Sequence, residues 1–279
     1  NGFHHGPGGA LTERRAGDQR RELTAHRDAL LDQNGNPVGQ IPAGRFGGLG
    51  NRGGDDHTAA VSDPTDSLGP IVSDRMAVLP QYLLPKQALT RLAGEVAGAR
   101  GGAFTTRLIR WFIDRYRVNM AEAANPDPAA YATFNDFFTR ALAPGARPLA
   151  DAPLVSPVDG AVSQLGPVNG DAIVQAKGHT YTVQALVGGD PELARPFLGG
   201  HFATLYLSPK DYHRIHMPCA GRLLRMIHVP GDLFSVNPAT ARGVPGLFAR
   251  NERVVCVFDG VGANAGPWVL VLVGATIVG

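Results

Sequence analysis

His201-Phe-Ala-Thr-Leu-Tyr-Leu-Ser-Pro-Lys-Asp-Tyr-His-Arg-Ile-His-Met-Pro218 changes character halfway along. From His201 to Leu207 it is largely apolar, without glycine or proline, and reads as a strand. Beyond Pro209 the chain gathers Lys210, Asp211, Tyr212, His213, Arg214 and His216, a costly set of side chains with which to fill a core. Histidine, with an unperturbed pKa of about 6.5, gives or takes a proton near neutral pH, so a pair of imidazoles in such company marks an active site. Residues three apart on a regular strand face opposite sides, so His213 and His216 can serve one pocket only if the chain turns or bulges there. Pro209 and Pro218 on either side favour that irregularity.

Around this run the chain is punctuated like a β protein. Short β-prone segments bounded by Gly, Pro, Asn and Asp occur at 160–165, 172–175, 202–207, 221–228, 252–258 and 268–278. Short helices are expected at 183–186 and 238–240. Residues 144–279 therefore read as a β-rich catalytic body.

Upstream, the pattern turns helical. Helices are expected over 86–97, stopped by glycines near 98–102, and over 104–118. In the second, Phe104, Leu108, Trp111 and Phe112 recur at helical spacing while Arg107, Arg110, Asp114 and Arg117 gather on another side. A further short helix with an aromatic face, Phe134, Phe137 and Phe138, is expected over 131–142. Residues 76–143 thus form a helical region that caps the body, and the fold class is α+β. The basic polar face of the second helix suits either packing on the domain or lying on anionic lipid.

The net charge of +2 is unevenly spread. Residues 76–118 hold 7 basic against 2 acidic side chains, which points to an anionic surface, membrane or nucleic acid, as partner. Residues 1–75 carry 14 of the 36 glycines and no Met, Trp, Tyr or Cys, too little apolar surface to offset chain entropy. They are expected to be a disordered or non-native extension, with Met76, the first methionine, as the native start. Two cysteines give no disulfide framework, and no set of His, Cys and carboxylates has metal-ligand spacing, so no metal is expected.

Five stretches stand in order with the histidine run: Val155-Ser-Pro-Val-Asp-Gly160, Gln175-Ala-Lys-Gly-His-Thr-Tyr181, Gly231-Asp-Leu-Phe-Ser-Val-Asn237, Leu247-Phe-Ala-Arg-Asn-Glu-Arg253 and Leu272-Val-Gly-Ala-Thr-Ile-Val-Gly279. With Gln81-Tyr-Leu-Leu-Pro85 and Leu89-Thr-Arg-Leu-Ala-Gly94 before them, they resemble the bacterial type of phosphatidylserine decarboxylase from Leu79 to the last residue. The resemblance implies a proenzyme that cleaves itself before a serine of a Leu-Gly-Ser-Thr motif, turning that serine into a pyruvoyl cofactor on a separate α chain. Phosphatidylserine would then bind the pyruvoyl carbonyl as a Schiff base, lose carbon dioxide and leave as phosphatidylethanolamine.

The same resemblance assigns roles. His216 matches the base that activates the serine hydroxyl, Asp159 the carboxylate that orients it, and His213 the acid that protonates the product carbon. Phe234, Ser235 and Asn237 match a segment lining the substrate pocket. Arg250, Asn251, Glu252 and Arg253 could contact a headgroup or pair with one another. Expected partners are phosphatidylserine, an anionic membrane surface, the chain's own α chain and a second copy in a homodimer, with no nucleic acid. The expected location is peripheral, on the cytoplasmic face of the cell membrane.

No Leu-Gly-Ser-Thr occurs in the 279 residues, so the sequence reads as a β-chain fragment, inactive by itself. Two rivals remain at this point. A Ser-His-Asp hydrolase would need a nucleophile elbow, and no Gly-x-Ser-x-Gly occurs. A non-catalytic lipid-binding relative would use the basic helices alone.

Overall fold

The computed structural model describes residues 78–176 and 178–278. The expected disorder of residues 1–75 and the proposed start at Met76 lie outside the described residues.

Strand β6, Arg253–Gly260, is the centre of a three-stranded antiparallel sheet in the order β5-β6-β7, with β5 at Gly221–Val229 and β7 at Gly266–Val273. Its run of Val, Cys and Phe is buried on both sides, and alternation sorts it into two cores. Val255 and Val257 join the main cluster with Ile173, Val187, Phe234, Val244 and Leu247. Val254, Cys256 and Phe258 face the other way and pack under Met217, next to His216. The histidine run therefore lies against the second face of this sheet.

Two smaller antiparallel pairs complete the β body: β1 (Ala161–Pro167) with β4 (His201–Tyr206), and β2 (Ala172–Ala176) with β3 (His179–Thr182). The α+β expectation is met. β3 was not foreseen, because His179-Thr-Tyr-Thr is short and lacks an aliphatic run. The last expected strand stops at Val273, five residues early, where Gly274 begins a tight turn with Ala275 and Val278 bonded to each other.

Helix α1, Lys86–Gly98, buries no residue at all. Helix α2, Ala103–Tyr116, buries Thr105, Ile109 and Phe112. Ile109 and Phe112 build a small aromatic core with Phe137 from α3, Phe134–Phe138, whose start is fixed by a Thr133–Asp136 capping box. The apolar stripe picked out in the sequence is largely the outward one: Phe104 is 65% and Trp111 55% exposed. Sequence periodicity found the amphipathic helix but could not say which of its two apolar edges meets the body.

Side chains tie the helical region to the body. Gln81 accepts from the Ser235 N–H (3.0 Å) and donates to the Thr240 hydroxyl (3.2 Å), and Tyr82 packs edge-on to Phe234 with centroids 5.0 Å apart. The remaining short helices, α4 (Val183–Leu186), α5 (Pro191–Ala194), α6 (Pro238–Gly243) and α7 (Leu247–Arg250), cover the main core.

Candidate active site

The strand β4 ends at Tyr206, and a turn follows in which the Asp211 carboxylate accepts from the backbone N–H (2.6 Å) and hydroxyl (2.8 Å) of Ser208. From 207 to 220 the backbone has no regular structure, so the strand alternation that would have split the two histidines does not operate. The turn demanded by the sequence is there, built by Ser208, Pro209 and Asp211.

His213 is fixed on two sides. Its Nδ1 lies 2.8 Å from the Asp211 carbonyl, an acceptor only, so Nδ1 carries the proton and the neutral ring presents a bare Nε2. The ring also stacks on Phe138, centroids 4.0 Å apart. His216 Nε2 lies 3.1 Å from the Tyr212 hydroxyl, and the two rings stack at 5.6 Å. Burial, the largest cause in both, lowers the pKa of both imidazoles; Arg214 lowers that of His216 further, while the Asp159 charge raises it. Both rings are therefore neutral at pH 7 and able to accept a proton.

Asp159 reaches this neighbourhood through backbone pairing. His216 N–H donates to the Pro157 carbonyl (2.8 Å) and Val155 N–H to the Pro218 carbonyl (2.9 Å), so the Ser-Pro-Val-Asp-Gly loop runs beside the histidine run. The next residue must be glycine: Gly160 has φ +125°, and a Cβ there would collide with the Tyr206 carbonyl oxygen. The loop that carries Asp159 therefore lies beside the run that carries His216.

Their direct bond is another matter. Both Asp159 oxygens are taken by Arg147, whose Nε lies 2.9 and 3.0 Å from Oδ1 and Oδ2 and whose Nη2 is 2.6 Å from Oδ2. The same Nη2 holds Glu122 at 2.6 Å. A guanidinium fork outcompetes a neutral imidazole for a carboxylate, since its bonds are charge-assisted and bidentate. In this structure Asp159 acts on His216 through its charge, and Tyr212 supplies the bond.

The segment expected to line the substrate pocket does other work here. Phe234 is 1% exposed, with the Lys86 ammonium 4.1 Å above its ring. Asn237 caps α6 through Thr240, and its Nδ2 donates to the Ser235 hydroxyl. Among Arg250, Asn251, Glu252 and Arg253, each partner is internal: Asp232, the Phe234 and Gly274 backbone, His228, and the carbonyls of Ala185 and Leu186. Within the tetrad itself, Arg253 Nη1 donates to the Asn251 carbonyl at 2.8 Å; the other bonds named here run to residues outside it.

Four residues of the neighbourhood were missed as such: Glu122, Arg140, Arg147 and Tyr212. Tyr212 stood in the quoted run without a role. The arginines follow an aromatic helix in Phe137-Phe-Thr-Arg-Ala-Leu-Ala-Pro-Gly-Ala-Arg147, a context that looks like an ordinary solvated loop. Among the described residues no cluster of three or more His, Cys, Asp or Glu could hold a metal ion.

The fold is α+β, and it brings two partly buried imidazoles, His213 and His216, beside the loop that carries Asp159. The family described as phosphatidylserine decarboxylase matches residues 134–279, and one described as PSD matches residues 76–117. A phosphatidylserine decarboxylase proenzyme of Azoarcus sp. (strain BH72) is 73% identical over 208 residues, 75% of this chain and 71% of the relative. Proteins of the same name from Albidiferax ferrireducens and Delftia acidovorans are 74% and 72% identical, over 206 and 208 residues, covering 74% and 75% of this chain and 72% of each relative. The chain belongs to the phosphatidylserine decarboxylase family, and its enzymatic class is that of a decarboxylase.

Proposed function

We propose that this chain supplies the proton-transfer half of a site that first cleaves its own precursor and then converts phosphatidylserine to phosphatidylethanolamine and carbon dioxide. The observation that carries the proposal is the pair His213 and His216, both held neutral, on an irregular run bonded to the Asp159 loop. In maturation, His216 takes the proton of the attacking serine hydroxyl, and Asp159 stabilises the imidazolium that forms. In turnover, the bare Nε2 of His213 takes up a proton from the medium and then delivers it to the carbon that carbon dioxide has left, so the ring returns to its neutral form.

The pyruvoyl group of the family would supply the electron sink for the carbon–carbon bond that breaks. Residues here fit such a group: the bare Nε2 of His213 and the phenol-bonded His216 offer proton transfer without committing a carboxylate or a metal set. Phe234, Ser235 and Asn237 keep a place in the proposal as the segment that shapes a pocket wall from behind, through the backbone they anchor.

Asp159 is tested by Asp159→Asn in the full-length proenzyme. The amide is neutral and breaks the Arg147 pairing, so self-cleavage on a denaturing gel is expected to slow by at least about 100-fold, within the range of a general-base system. Normal maturation removes Asp159 from the mechanism.

The helical region is proposed to rest on anionic lipid. Leu79, Tyr82, Leu83, Leu84, Leu92 and Trp111 are all exposed, Leu83 by 85%, beside Lys86, Arg91, Arg107 and Arg110. Apolar side chains enter the acyl boundary while cations stay at the headgroups. Among the described residues no helix is long and apolar enough to cross a membrane. The double substitution Leu83→Glu with Leu92→Glu is expected to abolish sedimentation with phosphatidylglycerol-containing vesicles and leave the melting temperature unchanged. Unchanged vesicle binding refutes this face as the contact.

A further inference from the structure

Arg140, Arg147, Glu122 and Asp159 share the active-site neighbourhood, and their pairing is lopsided. Arg147 holds both Glu122 and Asp159. Arg140 holds neither: the residue is 4% exposed, its Nε is sealed from water without a hydrogen-bond partner, and among the described residues its two terminal nitrogens make no hydrogen bond. A buried N–H left without an acceptor is expensive, because its desolvation is not offset by a bond. The face of Phe137 lies 5.3 Å from the guanidinium carbon.

The place of Arg140 gives this deficit a meaning. Its two predecessors touch the histidine run directly: Phe138 stacks on His213, and the Thr139 carbonyl accepts from Arg214 Nε at 2.6 Å. Burial, the largest cause, disfavours the charged form of Arg140, while Tyr131, Glu122, Tyr212 and Asp159, in that order of effect, favour it. An unbonded guanidinium thus lies close enough to the imidazole proposed to protonate the product for its charge to act there.

We propose that Arg140 is the headgroup-recognition residue of this site, its guanidinium binding an oxyanion of the aminophospholipid in a bidentate fork. The substrate carries two such groups, the carboxylate that is lost and the phosphodiester that remains. Either would supply the acceptors that Arg140 lacks, and its arrival would repay the desolvation already incurred. Lysine would keep the charge but lose the fork, so the two basic side chains are distinguishable here. The inference rests on the decarboxylase reading of the site.

The test uses the full-length proenzyme, matured, with phosphatidylserine in mixed micelles and carbon dioxide as readout. Arg140→Met is expected to raise KM by about 10- to 100-fold, the worth of hydrogen bonds to a charged group, and Arg140→Lys to fall between it and the unaltered enzyme. Wild-type KM in both active variants overturns the proposal. Competition on the unaltered enzyme needs no variant to fold. O-phosphoethanolamine keeps the phosphate, L-serine keeps the carboxylate, and ethanolamine keeps neither. Inhibition by O-phosphoethanolamine beyond that of ethanolamine assigns the phosphate, and inhibition by L-serine beyond it assigns the carboxylate. Equal inhibition by all three shows that the amine alone is recognised and overturns the proposal. An unaltered proenzyme that matures yet releases no carbon dioxide sinks the functional reading instead, which keeps the two failures apart.

Discussion

The His216→Ala proenzyme is expected to stay a single uncleaved chain under conditions that cleave the unaltered protein, its self-cleavage slowed by about 100- to 10,000-fold. A serine hydroxyl is a weak nucleophile at its free pKa, and no other neutral base is bonded into the same loop pair. The pH dependence follows from the lowered pKa of His216. Cleavage needs the neutral ring, so the rate is flat above the free-imidazole value of about 6.5 and falls only at more acid pH, as the ring finally protonates. Tyr212→Phe removes the phenol that holds Nε2 and belongs to the same test, because it alters the acid limb without deleting the base. A His216→Ala protein that cleaves at the normal rate ends the assignment.

His213→Ala is expected to behave in the opposite order. It should mature, giving two chains on a gel, and then release carbon dioxide at about 100-fold or more below the normal turnover number. The expectation comes from the bare Nε2 that the Asp211 carbonyl enforces by fixing the other proton on Nδ1, which leaves Nε2 as the nitrogen that takes up a proton and hands it on. Loss of the ring also exposes Phe138, so a melting measurement belongs beside the assay, to separate lost chemistry from lost packing. If His213→Ala turns over normally, the proton must come from elsewhere, and Tyr212 is the nearest remaining donor to His216.

Together the two substitutions separate maturation from turnover. Failure of His216→Ala to block cleavage would leave the turnover role of His213 intact, and the converse also holds. The division matters because the two rings differ in their partners: one leans on a carbonyl and an aromatic face, the other on a phenol. Similar burial gives similar pKa directions, so the partners and not the titration distinguish them.

Much of the architecture was legible. Helix 183–186 was expected and is found at Val183–Leu186, and the helix expected over 86–97 runs Lys86–Gly98, since caps and glycine stops act locally. The helix expected over 131–142 is only Phe134–Phe138, because the capping box at Thr133 sets its start and the chain leaves it at Thr139 to reach Arg214. That exit depends on a partner 75 residues away, which no local pattern contains. The same limit explains Arg147: its spacing from Asp159 says nothing of a fork that closes only when the loop after α3 meets the loop before β1.

By itself, the sequence determined the α+β class and the family, and it singled out His213, His216 and Asp159 as one neighbourhood, because these rest on residue identity and short-range order. Tertiary structure decided which carboxylate meets which cation. It gave both acids to Arg147, left Arg140 with an empty fork beside the histidines, and turned Phe234 and Asn237 into anchors. Charges find partners by distance in space, and in a chain of this length that distance is set by packing of segments far apart in sequence.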